Sequence, residues 1–305
     1  MKILVATEKP FAPVAVKGIT DVVNASGNDL VLLERGTKED LINAVADVEG
    51  LIVRSDIVDK DVIDAAKKLK VIVRAGAGYD NIDLQAATGK GICVMNTPGQ
   101  NSNAVAELVF GMLVMMLRNR YDGTSGFELK GKSIGIHAYG QVGRNVARIA
   151  KGFGMNVMAL DPFVKDDAMI ADGVIPVHSV EELYSKNQIV SLHIPATPQT
   201  KKSVTKALVS LMPKNAVLVN TARKEVIDEE SIIEALKERP DFMYISDIKP
   251  DNALQMAEIA PARVFFTPKK IGAQTAEANI NAGIAAAEQV AANLKDGWNK
   301  YQVNK

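Results

Sequence analysis

A strand that runs into a glycine turn and then into a helix is the segment of this sequence with the clearest chemical potential. Residues 133–143 read SIGIHAYGQVG, and the helical pattern RNVARIAKGFG (144–154) follows them directly. Against the dinucleotide-binding spacing G-x-G-x-x-G, the key positions are Ala138, Gly140 and Gly143. Gly140 lets the backbone approach a pyrophosphate, Gly143 lets helix and strand pack closely, and the helix amino terminus offers unpaired N–H groups to the anion. Alanine is acceptable at the first position provided that its φ is negative, because only positive φ demands glycine.

An aspartate at the end of the next apolar run supports this interpretation. Asp161 closes the run NVMALD about 20 residues beyond the turn, where a carboxylate accepts hydrogen bonds from ribose hydroxyls. The same carboxylate repels a 2′-phosphate and therefore favours NAD over NADP. The alternative is a βαβ unit that binds nothing and carries a surface aspartate. The residues predicted to bind NAD in this segment are Ala138, Tyr139, Gly140, Gln141, Val142 and Asp161.

Short apolar runs rich in β-branched residues alternate with helical patterns and position these residues. A first series of strands is predicted at ILVA, DLVLLE, GLIVRS, KVIVRAG and ICVMN, and a second at SIGIHAYG, NVMALDP, NQIVSLHIP, NAVLVNTA, MYISDI and ARVFFTP. Residues Ala104–Arg118 form an apolar helix between the two series, and the Ala-rich segment AGIAAAEQVAANLKDGW is a last helix that packs back onto the first domain. Apolar strands separated by helices indicate parallel sheets covered on both faces, so the fold class is α/β.

The composition is that of a water-soluble globular protein. A chain of 305 residues is too long for one ordinary core, which predicts two domains. No apolar run reaches the roughly 18 residues of a membrane span, and MKILVATEKPF does not have the layout of a signal peptide. The 36 basic and 36 acidic residues balance, so nucleic acid is not an expected partner. The single cysteine, Cys93, excludes an intramolecular disulfide; we expect a cytoplasmic protein and no metal site.

Several further segments resemble the D-2-hydroxyacid dehydrogenase family in sequence and in order. They are VRAGAGYDNID (73–83), NTPGQNSNAVAELVFGM (96–112), SLHIPATPQTKKSV (191–204), NTAR (220–223) and FTPKKIGAQTAEAN (266–279). The resemblance spans nearly the whole chain and implies two Rossmann-like, doubly wound domains with an active-site cleft between them. It implies a discontinuous substrate-binding domain, 1–98 and 279–305, around an NAD-binding domain, 99–278, that forms homodimers. It adds to the cofactor-binding residues Pro195, Thr200, Thr221, Ala222 and Asp247.

Hydride transfer from a 2-hydroxy acid needs a cation for the carboxylate and a base for the hydroxyl proton. Arg223, after the strand NAVLVNTA, resembles the family's arginine, whose planar fork grips carboxylate and carbonyl oxygens together. The family's catalytic histidine lies between T-P and I-G-A, where this chain reads Thr-Pro-Lys-Lys-Ile-Gly-Ala with one extra residue and no histidine. A subgroup of short family members carries lysine here. Lys269 keeps the spacing from T-P and Lys270 keeps the spacing to I-G-A, so either is the predicted acid and base.

A lysine base requires a pKa well below its ordinary value of about 10.4, which partial burial beside Arg223 and the positive nicotinamide would favour. The family's orienting glutamate is also missing. The segment SDIKPDN gives Asp247, predicted to contact the nicotinamide carboxamide, and then Asn252 at the glutamate's offset. The orienting group is therefore either absent or replaced by the adjacent Asp251 after a local shift. Loss of both groups leaves two interpretations, an inactive protein or replacement of the histidine–glutamate pair by one lysine.

The three histidines do not fill the catalytic position. His137 is predicted to pack in the first strand of the NAD-binding domain, and His178 is assigned a structural role in a loop. His193 ends a strand near the cofactor edge and becomes the candidate only if both lysines fail.

Phosphate recognition is assigned to the first domain. Arg54 follows VEGLIV and Arg74 follows LKVIV, so both are predicted at strand carboxyl ends, where α/β folds bind ligands. Pairing of each arginine with a local acid is the alternative. Asn101 is predicted to hydrogen-bond the substrate, and the loop after Arg74 offers N–H groups for a carboxylate. The full set of predicted substrate-binding residues is Arg54, Arg74, Gly76, Ala77, Gly78 and Asn101.

Within the family, IVRSD (52–56) and the segments after it are most like members that oxidise 3-phosphoglycerate with NAD to 3-phosphohydroxypyruvate, the first step of serine biosynthesis. Two alternatives remain: another 2-hydroxyacid oxidoreductase, such as a glyoxylate or hydroxypyruvate reductase, and a non-catalytic NADH-sensing protein. Arg223 and the basic substrate residues argue against a sensor. Because the chain ends after the last helix, a carboxy-terminal regulatory domain and feedback inhibition by serine are not expected.

Overall fold

The two predicted series of strands form two separate sheets. In the computed structural model, which describes residues 1–304, the chain divides into unit 1, Met1–Asn101 with Gln274–Lys305, and unit 2, Ser102–Ala273. The boundaries drawn from the sequence lie at 98/99 and 278/279. The units divide at 101/102 and 273/274, because the first helix of unit 2 begins at Ser102 and the last helix of unit 1 is capped by Thr275.

Unit 1 is a five-stranded parallel sheet with helices on both faces. Its elements in chain order are β1 Lys2–Thr7, α1 Pro13–Ala25, β2 Asp29–Glu34, α2 Lys38–Val45, β3 Gly50–Val53, α3 Lys60–Ala65, β4 Val71–Arg74, α4 Leu84–Gly89, β5 Cys93–Asn96 and, from the end of the chain, α12 Ala276–Asp296. The strand order is β2-β1-β3-β4-β5, so the order reverses between β1 and β3. Ligands bind at such a reversal, outside the carboxyl ends of the strands.

Alternating side chains of the unit 1 strands enter two apolar clusters, one on each face of the sheet. Leu4, Leu51 and Ile72 lie in one cluster, and their sequence neighbours on the same strands lie in the other. Strands buried on both faces have no polar side, which explains the uninterrupted apolar runs in the sequence. Helix α12 contributes Ala282 and Ala286 to the second cluster, so the last helix packs on the first domain, as predicted.

Unit 2 is a seven-stranded parallel sheet, also covered on both faces. It begins with α5 Ser102–Leu117 and a 3-10 turn at Asn119–Tyr121, followed by β6 Ser133–His137, α6 Gln141–Gly152, β7 Asn156–Leu160, α7 Asp166–Ala171, β8 Ile175–Pro176, α8 Val180–Lys186, β9 Ile189–Leu192, α9 Lys206–Leu211, β10 Val217–Asn220, a 3-10 turn at Lys224–Val226, α10 Glu229–Glu238, β11 Met243–Ser246, α11 Ala253–Ile259 and β12 Val264–Phe266. The strand order is β12-β11-β10-β9-β6-β7-β8, which reverses between β6 and β9.

The predicted fold class is confirmed for both units, since each sheet is parallel and doubly wound. The apolar helix predicted at Ala104–Arg118 is α5, which packs against α6 through stacked rings of Phe110 and Phe153, 5.1 Å apart. No helix within residues 1–304 is both long enough and apolar enough to cross a membrane.

Candidate active site

The candidate cofactor and catalytic residues of unit 2 all follow the carboxyl ends of strands in its sheet. They are Ala138 after β6, Asp161 after β7, Pro195 and Thr200 after β9, Thr221, Ala222 and Arg223 after β10, Asp247 after β11, and Lys269 and Lys270 after β12. Because all the strands are parallel, these residues share one edge. Along that edge Asp161 lies on one side of the reversal between β6 and β9. Arg223 and the two lysines lie on the other side.

The turn between β6 and α6 has the shape that a pyrophosphate requires. A Cβ added at Gly140 would meet nothing within 4 Å, so the backbone there is open to an approaching group. A Cβ added at Gly143 would lie 2.4 Å from the carbonyl oxygen of Ala138, so this position must be glycine. Gln141 and Val142 begin α6, where the first N–H groups have no acceptor within the helix and attract an anion. These residues therefore fit the diphosphate of NAD.

The backbone of Ala138 contradicts the sequence-based expectation. Its φ is +82°, although we predicted a negative φ because the residue is not glycine. The chain has to turn sharply here, since the Ala138 N–H still bonds the carbonyl of Leu160 at 2.9 Å while the next N–H turns towards Asp161. A left-handed backbone costs a residue with a Cβ on the order of 1–2 kcal/mol. The dinucleotide turn therefore carries local strain.

Asp161, the predicted ribose ligand, also shapes this turn. Its Oδ2 accepts from the N–H of Tyr139 at 2.8 Å, and its Oδ1 accepts from the N–H of Phe163 at 2.9 Å. A carboxylate has about four acceptor positions, so two remain for ribose hydroxyls. Tyr139 itself is buried, and its hydroxyl donates to Asp172 at 2.9 Å. Neither its N–H nor its side chain is therefore available to a cofactor.

The loop after β9 and the half-buried His193 complete the central part of the edge. Thr200 Oγ1 donates to the Pro195 carbonyl and accepts from the Thr197 N–H at 2.8 Å, which closes the loop on itself. His193 Nε2 lies 3.0 Å from Ser191 Oγ, and its Nδ1 lies 3.4 Å from the hydroxyl of Thr221. Burial lowers the pKa of His193 to about 3, so the ring is neutral near pH 7.

The recorded contacts of the other two histidines are with groups other than the lysines. The ring of His137 packs edge-on against Tyr184, with centroids 6.0 Å apart, which confirms its predicted packing role. Burial lowers the pKa of His137 to about 4. His178 is exposed, and its backbone N–H donates to Glu182 at 3.1 Å.

The two candidate lysines differ in their surroundings. Lys270 Nζ donates to the carbonyl oxygen of Ala222 at 3.0 Å, and that oxygen also accepts from Arg223 Nη1 at 2.9 Å. Burial of the amino group and the adjacent guanidinium lower the pKa of Lys270 to about 8, against the opposing effects of Asp247 and Glu225. Both lysines are exposed as whole residues, but the amino group of Lys269 bonds no protein atom in the described part of the chain. Lys270 is therefore the lysine beside Arg223.

Asp247 holds residues 267–272, here called the lysine loop, instead of facing a cofactor. The residue is fully buried. Its Oδ1 accepts from Thr267 Oγ1 at 3.0 Å and from the Ile271 N–H at 2.9 Å, and its Oδ2 accepts from the Gly272 N–H at 2.8 Å. Because its oxygens already accept these three hydrogen bonds, the carboxylate is not placed to contact the nicotinamide carboxamide as predicted. It ties both ends of residues 267–272 to β11, and so fixes the loop that carries Lys270.

Of the two alternatives for the orienting glutamate, absence or replacement by Asp251, the contacts of Asp251 favour absence. Both oxygens of its carboxylate accept from Lys224 Nζ, at 2.7 and 3.0 Å, and the side chain is 75% exposed. Asn252 is the residue before the first turn of α11, and its N–H donates to Glu229 at 2.8 Å. The Asp251 carboxylate is thus paired with Lys224, and the group that bonds Lys270 is the main-chain carbonyl of Ala222.

In unit 1, the predicted substrate residues lie at the carboxyl edge of the sheet, beside the reversal of strand order. Arg54 follows β3, and Arg74 ends the adjacent β4, with its Nε donating to the Arg54 carbonyl at 2.9 Å. Burial lowers the pKa of both guanidinium groups, and the charge of Arg54 lowers that of Arg74 further. Within residues 1–304 neither arginine forms an ion pair with a carboxylate, so the alternative of a local acid partner is not what the structure contains.

The loop after Arg74 supplies fewer free N–H groups than predicted. Gly76 has φ +149°, and a Cβ there would lie 1.6 Å from Arg74 Nη1, so only glycine fits beside this arginine. Its N–H already donates to the Arg74 carbonyl at 2.9 Å, which corrects its predicted role as a carboxylate donor. The N–H groups of Ala77 and Gly78 remain as candidates. Asn96, at the end of β5, holds the Ala77 carbonyl at 2.7 Å, and Asn101 ends the loop that follows.

Fold and site together define a class of protein. A doubly wound sheet with a dinucleotide turn, followed along the same edge by an arginine and a lysine of lowered pKa, is typical of nicotinamide-dependent oxidoreductases. A family model described as "D-isomer specific 2-hydroxyacid dehydrogenase, NAD binding domain" matches residues 108–268. The chain belongs to this family.

Relatives of two kinds match nearly the whole chain. A D-3-phosphoglycerate dehydrogenase of Methanocaldococcus jannaschii is 39% identical over 287 residues, which are 88% of this chain and 54% of that protein. A hydroxypyruvate reductase of Thermotoga maritima is 34% identical over 278 residues, which are 85% of this chain and 89% of that protein. The chain thus spans about half the length of the first relative and most of the second.

A solved structure matches over the full chain. It is the NAD⁺-bound 3-phosphoglycerate dehydrogenase of Entamoeba histolytica, with a TM-score of 0.85 and 46% sequence identity, covering 100% of this chain and 99% of that chain. Together with the family match, this likeness shows that NAD is the cofactor.

Proposed function

We propose that the chain oxidises 3-phosphoglycerate to 3-phosphohydroxypyruvate with NAD. The observation that carries the proposal is the position of Lys270 Nζ, which shares the Ala222 carbonyl with Arg223 and has a pKa lowered to about 8. A base and a cation are thereby held side by side at the edge of the NAD-binding sheet. These are the two groups that a 2-hydroxy acid requires.

NAD supplies the hydride acceptor when it is bound. Arg223 holds the carboxylate and the reacting oxygen, since its fork matches two oxygens at once. Lys270, as the neutral amine, takes the proton of the substrate hydroxyl at Nζ and becomes an ammonium ion. In the reverse direction that ammonium ion returns the proton to the carbonyl oxygen. The carbonyl of Ala222 fixes the amino group in both directions, so no side-chain orienter is required.

The surroundings of Arg54 and Arg74 support a phosphorylated substrate. Both guanidinium groups are half-buried and adjacent, and their partners are neutral oxygens. Two like charges in such a place are unfavourable by themselves, and an anion with two negative charges removes the repulsion. Phosphate recognition by unit 1 is therefore proposed together with acid–base chemistry by unit 2.

Hydroxypyruvate reduction is the second candidate. The observation in its favour is the Thermotoga relative, of which this chain covers 89%. Hydroxypyruvate has the same 2-oxo acid group but lacks the phosphate, so Arg223 and Lys270 would act in the same way and the arginines of unit 1 would have no partner.

One assay compares the candidates. The purified chain and NADH are mixed with phosphohydroxypyruvate, hydroxypyruvate, glyoxylate or pyruvate, and NADH absorbance is followed. We expect the largest kcat/KM with phosphohydroxypyruvate. A larger value with hydroxypyruvate would select the second candidate. NADH binding without turnover of any 2-oxo acid would contradict both and indicate an NADH-sensing protein.

A further inference from the structure

We infer that Asn279 is the residue that holds Arg54 ready for a phosphate and thereby sets the preference for phosphorylated over unphosphorylated substrates. This inference rests on the proposed function and assigns a positioning role to a residue that does not itself need to touch the substrate. Asn279 lies in the first turn of α12, which the chain reaches 225 residues after Arg54.

The contact between the two residues is direct and has a defined orientation. Arg54 Nη2 donates to Asn279 Oδ1 at 2.6 Å. Asn279 Nδ2 donates to the Thr275 carbonyl at 2.8 Å, and Thr275 caps α12 by accepting from the Ala278 N–H at 3.1 Å. Because the amide nitrogen is occupied by a carbonyl, the amide oxygen has to face the guanidinium. The start of α12 thus fixes which way Asn279 points.

The remaining partners of Arg54 hold the guanidinium without neutralising it. Its Nη1 donates to the carbonyl oxygens of Lys9 and Pro10 at 3.2 and 3.4 Å, and the group lies over the ring of Phe11, 5.0 Å from the centroid. Each of these partners is uncharged. An arginine carries five N–H donors, so donors remain for an anion after these contacts are made. The guanidinium is therefore immobilised with its full charge.

An amide at this position differs from a carboxylate in one decisive respect. A carboxylate would form a charge-assisted pair with Arg54 and satisfy the charge internally. A phosphate would then have to displace or share that pair, whereas with Asn279 it meets an unpaired cation. A carboxylate at position 279 would therefore lower kcat/KM for phosphorylated substrates alone, since the chemistry at Arg223 and Lys270 does not involve the phosphate.

The test compares Asn279→Asp and Asn279→Leu with Ala276→Asp in the full-length protein. Ala276 is exposed in the same turn of α12, so Ala276→Asp adds the same charge without contact to Arg54. We measure kcat/KM for phosphohydroxypyruvate and for hydroxypyruvate with NADH. Both Asn279 variants should lose roughly five- to tenfold on the phosphorylated substrate, the upper part of the range expected for one typical hydrogen bond. Turnover of hydroxypyruvate and both values of Ala276→Asp should stay within about twofold.

An unchanged ratio of the two kcat/KM values, or an equal fall in both, would overturn the inference, since a purely structural role affects both substrates alike. If the wild-type protein reduces neither compound, the proposed function fails on its own account. Calorimetric binding of 3-phosphoglycerate and of glycerate then replaces turnover. A wild-type preference for 3-phosphoglycerate that Asn279→Asp abolishes would support the positioning role, and any other result would refute it.

Discussion

The carboxyl edges of the two sheets use cations in opposite ways. In unit 1, Arg54 and Arg74 are held by carbonyl and amide oxygens, and their groups remain charged at any physiological pH. In unit 2, Lys270 is also held by a carbonyl oxygen, but burial and the charge of Arg223 lower its pKa to about 8. The same kind of main-chain acceptor thus stabilises a permanent charge in one unit and a titrating amine in the other. The side-chain type and the adjacent cation decide which one results.

The largest effect is expected where the titrating amine is removed. Lys270→Ala should lower kcat for phosphohydroxypyruvate reduction by roughly 10²–10⁴-fold, the usual contribution of a positioned acid or base. Lys269→Ala is the matched control and should stay within about twofold, because within residues 1–304 its amino group, unlike that of Lys270, is not held by a protein acceptor. Steady-state kinetics with NADH measures both. A larger loss in Lys269→Ala would mean that Lys270 is not the proton carrier.

Removal of a permanent charge should act on binding instead. Arg54→Gln keeps a polar side chain but deletes the guanidinium, and we expect kcat/KM for phosphohydroxypyruvate to fall roughly 10- to 100-fold through KM. The value for hydroxypyruvate should change little. If Arg54→Gln instead lowered mainly kcat, Arg54 would act in the chemical step and not only in substrate binding.

The pH dependence of the rate tests whether Lys270, unlike the arginines of unit 1, changes its charge during the reaction. Because the pKa of Lys270 is about 8, the lysine is mostly an ammonium ion at pH 7 and mostly a neutral amine at pH 9. Oxidation of 3-phosphoglycerate needs the neutral amine, so its kcat should rise about tenfold over this interval, while the reduction rate falls. Initial rates in both directions measure this. A profile that levels off near the ordinary histidine pKa of about 6.5 would contradict the lysine mechanism.

The smallest expected effect is on the stability of the strained turn at Ala138 in unit 2, where the substitution changes the backbone and not a charge. Ala138→Gly should raise the free energy of unfolding by about 0.5–1 kcal/mol, because relief of the positive φ exceeds the added flexibility of glycine. Ala257→Gly, inside helix α11, is the control and should lower it by about 1 kcal/mol. Urea denaturation gives both values. Destabilisation of Ala138→Gly would show that the alanine methyl group makes a compensating contact.

Most of the fold follows from the sequence because buried parallel strands leave a simple pattern. Every strand predicted from an apolar run is present, and the strand that we missed, β8, has two residues and therefore no periodicity to detect. The candidate residues at the strand ends follow equally directly, since a parallel sheet places all carboxyl ends on one edge.

What the sequence could not provide depends on contacts between distant residues. The choice between Lys269 and Lys270 rests on a carbonyl 48 residues away from Lys270, and the role of Asn279 rests on an arginine 225 residues away. Asp247 was assigned to the cofactor because its position in the chain matched the family, whereas its burial and three hydrogen bonds are visible only in three dimensions. The φ of Ala138 is set by the turn between two elements, and the identity of the residue did not reveal it.

The carboxylate of Asp247 also affects which sequence changes the lysine loop can accept. It anchors Thr267 at one end of the lysine loop and Ile271 with Gly272 at the other, while the three residues between them make no bond to it. We expect a surface span held at both ends by one carboxylate to accept insertion and exchange of residues without disturbing the strand before it. The extra residue that this chain carries lies inside that span. The same place would accept an engineered histidine, and the clamp would let new proton chemistry be tried on an unchanged scaffold.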